Sequence, residues 1–237
     1  MVCIIHHLGI GDQLMVNGMV RHFLEKEKVV LVAQKIHEES IRFMYRDTNK
    51  IDFIFTGTDP QEIWTKVKES GHKPLALATY SVGDDFWKFM VEGQGKLFSN
   101  WAYGVYIQAG INPYYMYSKF KVLRNDDQEN AIVEKLKLPK DYIFVHDGKG
   151  EKECTNCRKD LHIVRPDIDT SPNIFNYLKV IKGAKEIHCM NSSYAWLVNM
   201  FRIGTKNTNF FHTELAYREY TKRDIKIVFD EDLWTFI

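Results

Sequence analysis

A few short stretches of this chain hold the residue types that bind phosphate, move protons or ligate metals. The first is Gly9-Ile10-Gly11-Asp12. Glycine lets a backbone come close to a ligand, and a helix start offers N–H groups to an anion. A carboxylate beside such a turn can take the proton of a hydroxyl as general base. The plainer alternative is that Asp12 caps a helix, which Asp does well. The second stretch is Asn191-Ser192-Ser193. Hydroxyls and unpaired N–H groups at a helix N-terminus hold phosphate and stabilise charge on a leaving diphosphate; either serine can also serve as an ordinary N-cap. Third, Arg158 and Lys159 lie in a polar loop. Arginine grips a diphosphate through parallel hydrogen bonds, although a solvated charged loop is the common fate of such residues. Arg165 is a lesser candidate of the same kind. Fourth, His146 and Asp147 close an apolar run, where open α/β sheets place functional groups; a hydrogen-bonded strand-end histidine is the alternative. His6, His7 and His188 are similarly placed.

Cys154-Thr155-Asn156-Cys157 invites a zinc reading, with His146 and His162 completing a Cys₂His₂ set. One Cys-x-x-Cys pair without a second is weak support, and no metal is assigned. Glu214 and Arg218, spaced i, i+4, read as a helical ion pair.

These residues need elements to position them. Residues 2–6 read as a buried strand, followed by the Gly-rich turn and a helix over 14–24. Strands at 29–33, 51–55 and 75–79 alternate with helices at 38–45 and 63–69. A helix over 98–109 ends at Gly110, a residue suited to the position past a helix end. Residues 119–123 are extended. Asn125 caps a helix to 136, with acids in its first turn as the helix dipole prefers. Alternation then restarts: strands at 142–146, 161–164, 186–190, 208–211 and 225–228, helices at 173–181 and 192–200. Such alternation predicts parallel sheets with helices on both faces. The expected architecture is α/β: two small Rossmann-like lobes, residues 1–120 and 121–237, with parallel sheets facing a central cleft. One continuous sheet is the alternative.

Composition narrows the classes. With 32 Lys+Arg against 31 Asp+Glu the net charge is +1, which does not suggest a dedicated nucleic-acid binder. No apolar run reaches the ~18 residues of a membrane span, and no secretory signal is visible. The four cysteines read as free thiols of a cytoplasmic protein. A dinucleotide fingerprint fails: Leu14 stands where Gly-x-Gly-x-x-Gly needs its third glycine, and Ala33-Gln34-Lys35 brings no acid after the second strand.

Taken together, His7-Leu8-Gly9-Ile10-Gly11-Asp12 with Asn17-Gly18-Met19-Val20-Arg21 resembles the opening of GT-B-type glycosyltransferases. It is similar to the heptosyltransferase-like group and to short viral and bacterial sugar transferases. Ile187-His188-Cys189-Met190-Asn191-Ser192-Ser193 resembles that group's strand-to-helix turn near the donor phosphates. Phe144-Val145-His146-Asp147 followed by Arg158 is similar to the opening of its donor lobe. The resemblance implies transfer of a sugar from a nucleotide-diphosphate sugar to a glycan or other hydroxyl acceptor, inverting and without a metal or other cofactor. Residues 1–120 would take the acceptor and supply Asp12 as base. Residues 121–237 would hold the donor through His146, Arg158, Lys159, Asn191, Ser192 and Ser193, with Gly9 and Gly11 leaving room for its phosphates. A non-catalytic nucleotide-sugar-binding module, an oxidoreductase and a methyltransferase are the rival classes.

Overall fold

The computed structural model describes residues 1–6, 8–77, 101–147, 157–213 and 229–237. The chain divides into two units, Met1–Leu123 and Arg124–Ile237.

In the first unit β1 (Val2–Ile5) leads into α1 (Ile10–Leu24). β2 (Val29–Gln34), α2 (Glu38–Met44), β3 (Ile51–Thr56), α3 (Pro60–Glu69) and β4 (Pro74–Ala76) follow. The four strands form a parallel sheet in the order β3-β2-β1-β4. β2 is Val-Val-Leu-Val-Ala-Gln with its first five residues buried. A strand covered on both faces reads as an unbroken apolar run. Asp59 caps α3, accepting from the Gln61 N–H at 3.0 Å, and Pro60 takes the first helical position.

α1 is the spine of this unit. Its residues Leu14, Met15, Val16, Met19 and Val20 are fully buried. Against it lie α4 (Trp101–Gln108) and the single turn α5 (Tyr115–Ser118). Two devices hold them there. The buried Tyr106 hydroxyl enters the hydrogen-bond ladder of α1, accepting from Met19 N–H at 3.1 Å and donating to Met15 C=O at 2.9 Å. Gly18 meets α5 so closely that a Cβ there would lie 1.9 Å from the Tyr115 carbonyl oxygen. Gly110, at φ +68°, takes the left-handed conformation after α4. The extended segment beyond α5 joins no sheet. Instead the Asn17 side chain brackets Lys121, accepting from its N–H at 2.9 Å and donating to its C=O at 3.4 Å. Arg21 adds bonds to Lys121 C=O, Met44 C=O and both oxygens of Asp47.

The second unit opens with α6 (Asp126–Leu136), capped by Asn125, which accepts from Gln128 N–H at 3.2 Å. Next come β5 (Tyr142–His146), β6 (His162–Val164), a 3-10 turn (Ile174–Tyr177), α7 (Leu178–Gly183), β7 (Glu186–Cys189), α8 (Ser193–Phe201), β8 (Asn209–Phe211) and β9 (Thr235–Phe236). The sheet is parallel throughout, in the order β6-β5-β7-β8-β9. Numbered within the unit this is 2-1-3-4-5, a doubly wound order whose switch point lies between β5 and β7. Phe144, Phe175, Tyr177, Leu197 and Phe211 are core residues of this unit.

The α/β class with two parallel sheets agrees with the sequence reading. Several details differ. α1 starts at Ile10 rather than 14, because Gly9 already serves as its N-cap. The expected helix over 173–181 splits into the 3-10 turn and α7, with Asn173 accepting from Phe175 N–H at 3.2 Å at its start. β9 was not expected; two residues are too short for a periodicity signal. The expected strand over 225–228, and His7, Cys154, Glu214 and Arg218, lie outside the described residues. Among the described residues no helix is long and apolar enough to cross a membrane.

Candidate functional site

Gly9, Gly11 and Asp12 in the first unit, and His146, Asp147 and Asn191-Ser192-Ser193 in the second, lie at the C-terminal edge of their sheets, the edge where open α/β sheets bind ligands.

In the first unit Gly9, Gly11 and Asp12 follow β1 directly. Gly9 is extended, at φ −62° and ψ 149°, and offers no side-chain cap. Gly11 and Asp12 are the second and third residues of the helix, so the N-cap residue of α1 is Gly9 and not Asp12. Its carboxylate folds back toward the helix start, with Oδ2 2.7 Å from where a Gly9 Cβ would stand. A carboxylate is stabilised at that positive end of the helix dipole, and Asp12 is partly exposed. His37, in the turn after β2, feels its charge: burial lowers the His37 pKa and the Asp12 carboxylate pulls it back up. The first turn is anchored from below by buried Gln13, whose side-chain N–H donates to Val32 C=O at 3.2 Å.

In the second unit the switch point between β5 and β7 carries His146, Asp147 and Asn191-Ser192-Ser193. His146 pairs in register with Cys189, and its carbonyl accepts from Met190 N–H at 3.1 Å. Asn191 and Ser192 are therefore delivered beside it. Ser192 is the N-cap of α8, extended at φ −153° and ψ 171°, with its Oγ accepting from Ala195 N–H at 3.5 Å. Ser193 is the first helical residue. All three polar residues are partly exposed. The His146 ring lies 4.8 Å from the Tyr194 ring, centroid to centroid. Burial pushes its pKa down to about 4, so the imidazole is neutral at pH 7. Arg165, just past β6, grips Asp147 with Nε and Nη2 at 3.2 and 2.8 Å. That guanidinium is half exposed while the Asp147 side chain is 7% exposed, so Asp147 orients the arginine at the edge.

Arg158 and Lys159 are elsewhere. Both are exposed. Arg158 is engaged with Asp160 at 2.6 Å and lies 3.8 Å from Glu186. Glu186 is the first residue of β7, whereas Ser192 and Ser193 follow its last. A strand of that length spans roughly 10 Å. The structure thus does not bring Arg158 to Asn191, Ser192 and Ser193: it stands at the opposite edge of the sheet. Sequence proximity to β5 suggested Arg158, but the chain returns to the N-terminal edge before β6 begins. Arg165, the residue just past a strand end, carries the positional signal that finds the right edge.

Of the Cys₂His₂ set considered and not assigned, the described members Cys157, His146 and His162 are also parted. His162 is exposed, and His146 faces Tyr194 while Cys157 packs with Ile143 and Val145. Cys157, expected as a free thiol, is held in a disulfide; Cys3 and Cys189 are free and buried.

No family model and no curated protein matches this chain. Among solved structures it is similar to the glycosyl transferase family 9 protein from Veillonella parvula DSM 2008, with a TM-score of 0.54. Identity is 8%, over 100% of this chain and 86% of that one. At that identity the likeness is one of fold: the two-unit parallel α/β architecture of this chain is shared with a solved glycosyltransferase.

Proposed function

We propose that the protein transfers a sugar from a nucleotide-diphosphate sugar to an acceptor hydroxyl. One observation carries this reading: the N-terminus of α8, with Asn191, Ser192 and Ser193, stands at the switch point of a doubly wound sheet. Its N–H groups and hydroxyls suit a diphosphate. The fold shared with a glycosyltransferase supports it. In this reading the second unit holds the donor. Asn191, Ser192 and Ser193 meet the diphosphate, His146 lines the same edge as a neutral hydrogen-bonding group, and Arg165 replaces Arg158 as the cation. The first unit takes the acceptor. Asp12 accepts the hydroxyl proton, the oxygen attacks the anomeric carbon with inversion, and the bond to the diphosphate breaks. The charge left on the diphosphate is met by preorganised N–H and O–H donors. Since these donors and Arg165 carry that charge, added Mg²⁺ or Mn²⁺ should leave turnover unchanged.

The test has two parts. Thermal shift against nucleoside diphosphates and nucleotide sugars identifies the base, because a ligand of the folded state raises its apparent stability. Ser193→Glu then puts an anion at the first helical position. It should keep or slightly raise stability through the helix dipole, yet weaken the preferred nucleotide by 10-fold or more. Unchanged affinity would remove this pocket from the proposal. Asp12→Asn should lower turnover by ~100-fold, the scale of a positioned base, and cost only about 0.3–1 kcal/mol of stability from the lost charge at the helix start. Near-normal turnover would remove Asp12 as the base; donor binding with no turnover in the natural protein would mark a binding module instead.

A further inference from the structure

One face of the second sheet carries a cluster that sugar transfer does not use. Glu186 and His188 pair in register with Ile143 and Val145 of β5, and alternation along each strand places all four on one face. Phe210 pairs with His188, which puts Phe210, and His212 two residues later, on that face as well. Cys157 packs onto it beside Ile143 and Val145. One ligand atom from each of Cys157, His188 and His212 lies within 4.8 Å of the other two. The three residues are buried, at 6%, 2% and 6% exposure. His188 Nδ1 and His212 Nε2 are 3.0 Å apart, and Glu186 Oε2 is 3.1 Å from His188 Nε2.

We propose that Cys157, His188 and His212 form a site for Zn²⁺, or a divalent transition ion like it, when Cys157 is reduced. One thiolate and two imidazoles are a borderline-soft donor set of the kind zinc takes. In a tetrahedral zinc site two nitrogens stand about 3.3 Å apart and a nitrogen and a sulfur about 3.6 Å, from bonds of about 2.05 and 2.3 Å. The imidazole pair is already near that spacing, and the sulfur, within 4.8 Å of both nitrogens, has to draw in by no more than about an ångström. Glu186 accepts the Nε2–H of His188, so the Nδ1 lone pair points into the cluster, the arrangement by which a carboxylate orients a metal-bound histidine. His212 binds in the tautomer whose Nε2 carries the lone pair. Among the described residues these three ligands leave the fourth tetrahedral position open.

The disulfide gates this site. A disulfide sulfur cannot act as a thiolate, so the oxidised chain lacks its third ligand. A phosphine reductant cleaves the S–S bond, becoming a phosphine oxide while water supplies the oxygen and the two protons of the thiols. Binding the ion then releases the Cys157 thiol proton to solvent.

The experiment is a Co²⁺ titration of the full chain, with and without prior phosphine reduction. Reduced protein should bind one ion per chain, with a thiolate-to-cobalt charge-transfer band and intense tetrahedral visible bands, both abolished by Zn²⁺. Oxidised protein should show neither. Cys157→Ser and His212→Gln should lose the charge-transfer band and the tetrahedral bands respectively, while retaining native circular dichroism. Glu186→Gln should weaken binding by roughly 10- to 100-fold, and His162→Gln, an exposed histidine outside the cluster, should change nothing. The proposal is overturned if reduced natural protein shows no charge-transfer band, or if oxidised protein or Cys157→Ser gives the same spectrum. Should a variant fail to fold, the reduced and oxidised natural protein decide the matter by themselves.

Discussion

Replacing Gly18 with alanine sets local helix chemistry against tertiary packing, and the two disagree in sign. Gly18 lies within α1, so on propensity alone alanine should stabilise by about 1 kcal/mol. The packing says otherwise. The new Cβ would stand 1.9 Å from the Tyr115 carbonyl oxygen, 2.8 Å from its carbon and 3.1 Å from Met116 Cα. A carbon needs roughly 3.3 Å from a carbonyl oxygen, so one backbone must retreat from the other by about 1.4 Å. The obstacle is main chain, and the Tyr115 carbonyl also accepts from Lys119 N–H at 3.1 Å, so it cannot rotate away cheaply. Overpacking of this kind costs about 3 kcal/mol. Net of propensity, Gly18→Ala should destabilise by about 2 kcal/mol, a fall in Tm of roughly 4–8 °C for a chain of this size. Differential scanning calorimetry, with urea unfolding as a second measure, reads it directly. A Tm equal to or above that of the natural protein would refute the close approach of α1 and α5.

Two further outcomes follow from the same geometry. Gly9→Ala keeps an allowed backbone, since φ there is −62°, and as a poorer cap should cost roughly 0.5–1 kcal/mol. Its Cβ falls 2.7 Å from Asp12 Oδ2 and displaces the carboxylate by about half an ångström; with Asp12 as base, turnover should drop roughly 10-fold, and an unchanged rate at measured saturation would argue against that role. The second concerns acid. Burial holds His146 and His212 near pKa 4, against 6.5 for a free imidazole. Between pH 6.5 and 4 the unfolded chain takes up protons that the folded chain does not, so stability is full above 6.5 and falls as pH drops through that window. For His146 the fall is on the order of 3 kcal/mol. Tm measured against pH should show this slope, and His146→Gln should flatten it; an unaltered slope would place the acid sensitivity elsewhere.

Much of the fold was legible because a buried parallel strand announces itself. Val29–Gln34 and Tyr142–His146 are apolar runs bounded by polar turns. Asn125 marks a helix start through its own side-chain chemistry. The position of Asn191-Ser192-Ser193 at a strand-to-helix turn followed from the same local signals, for a cap is written within three residues. The sequence by itself therefore determined the α/β class, the alternation and the turns that end each strand.

What it could not determine was which turns share an edge. Arg158 and Arg165 are seven residues apart and chemically identical, yet the path into β6 leaves one beside Glu186 and the other beside Asp147. The grouping of Cys157 with His188 and His212, in place of His146 and His162, depends on strand alternation and on the β5-β7-β8 register. Gly18 and Tyr106 look unremarkable in the chain; their purpose appears only where α5 and α4 meet α1. Local signals act over one turn or one strand, within a few residues of their source. Edges, faces and close approaches are relations between segments tens of residues apart, and only the packed structure decides them.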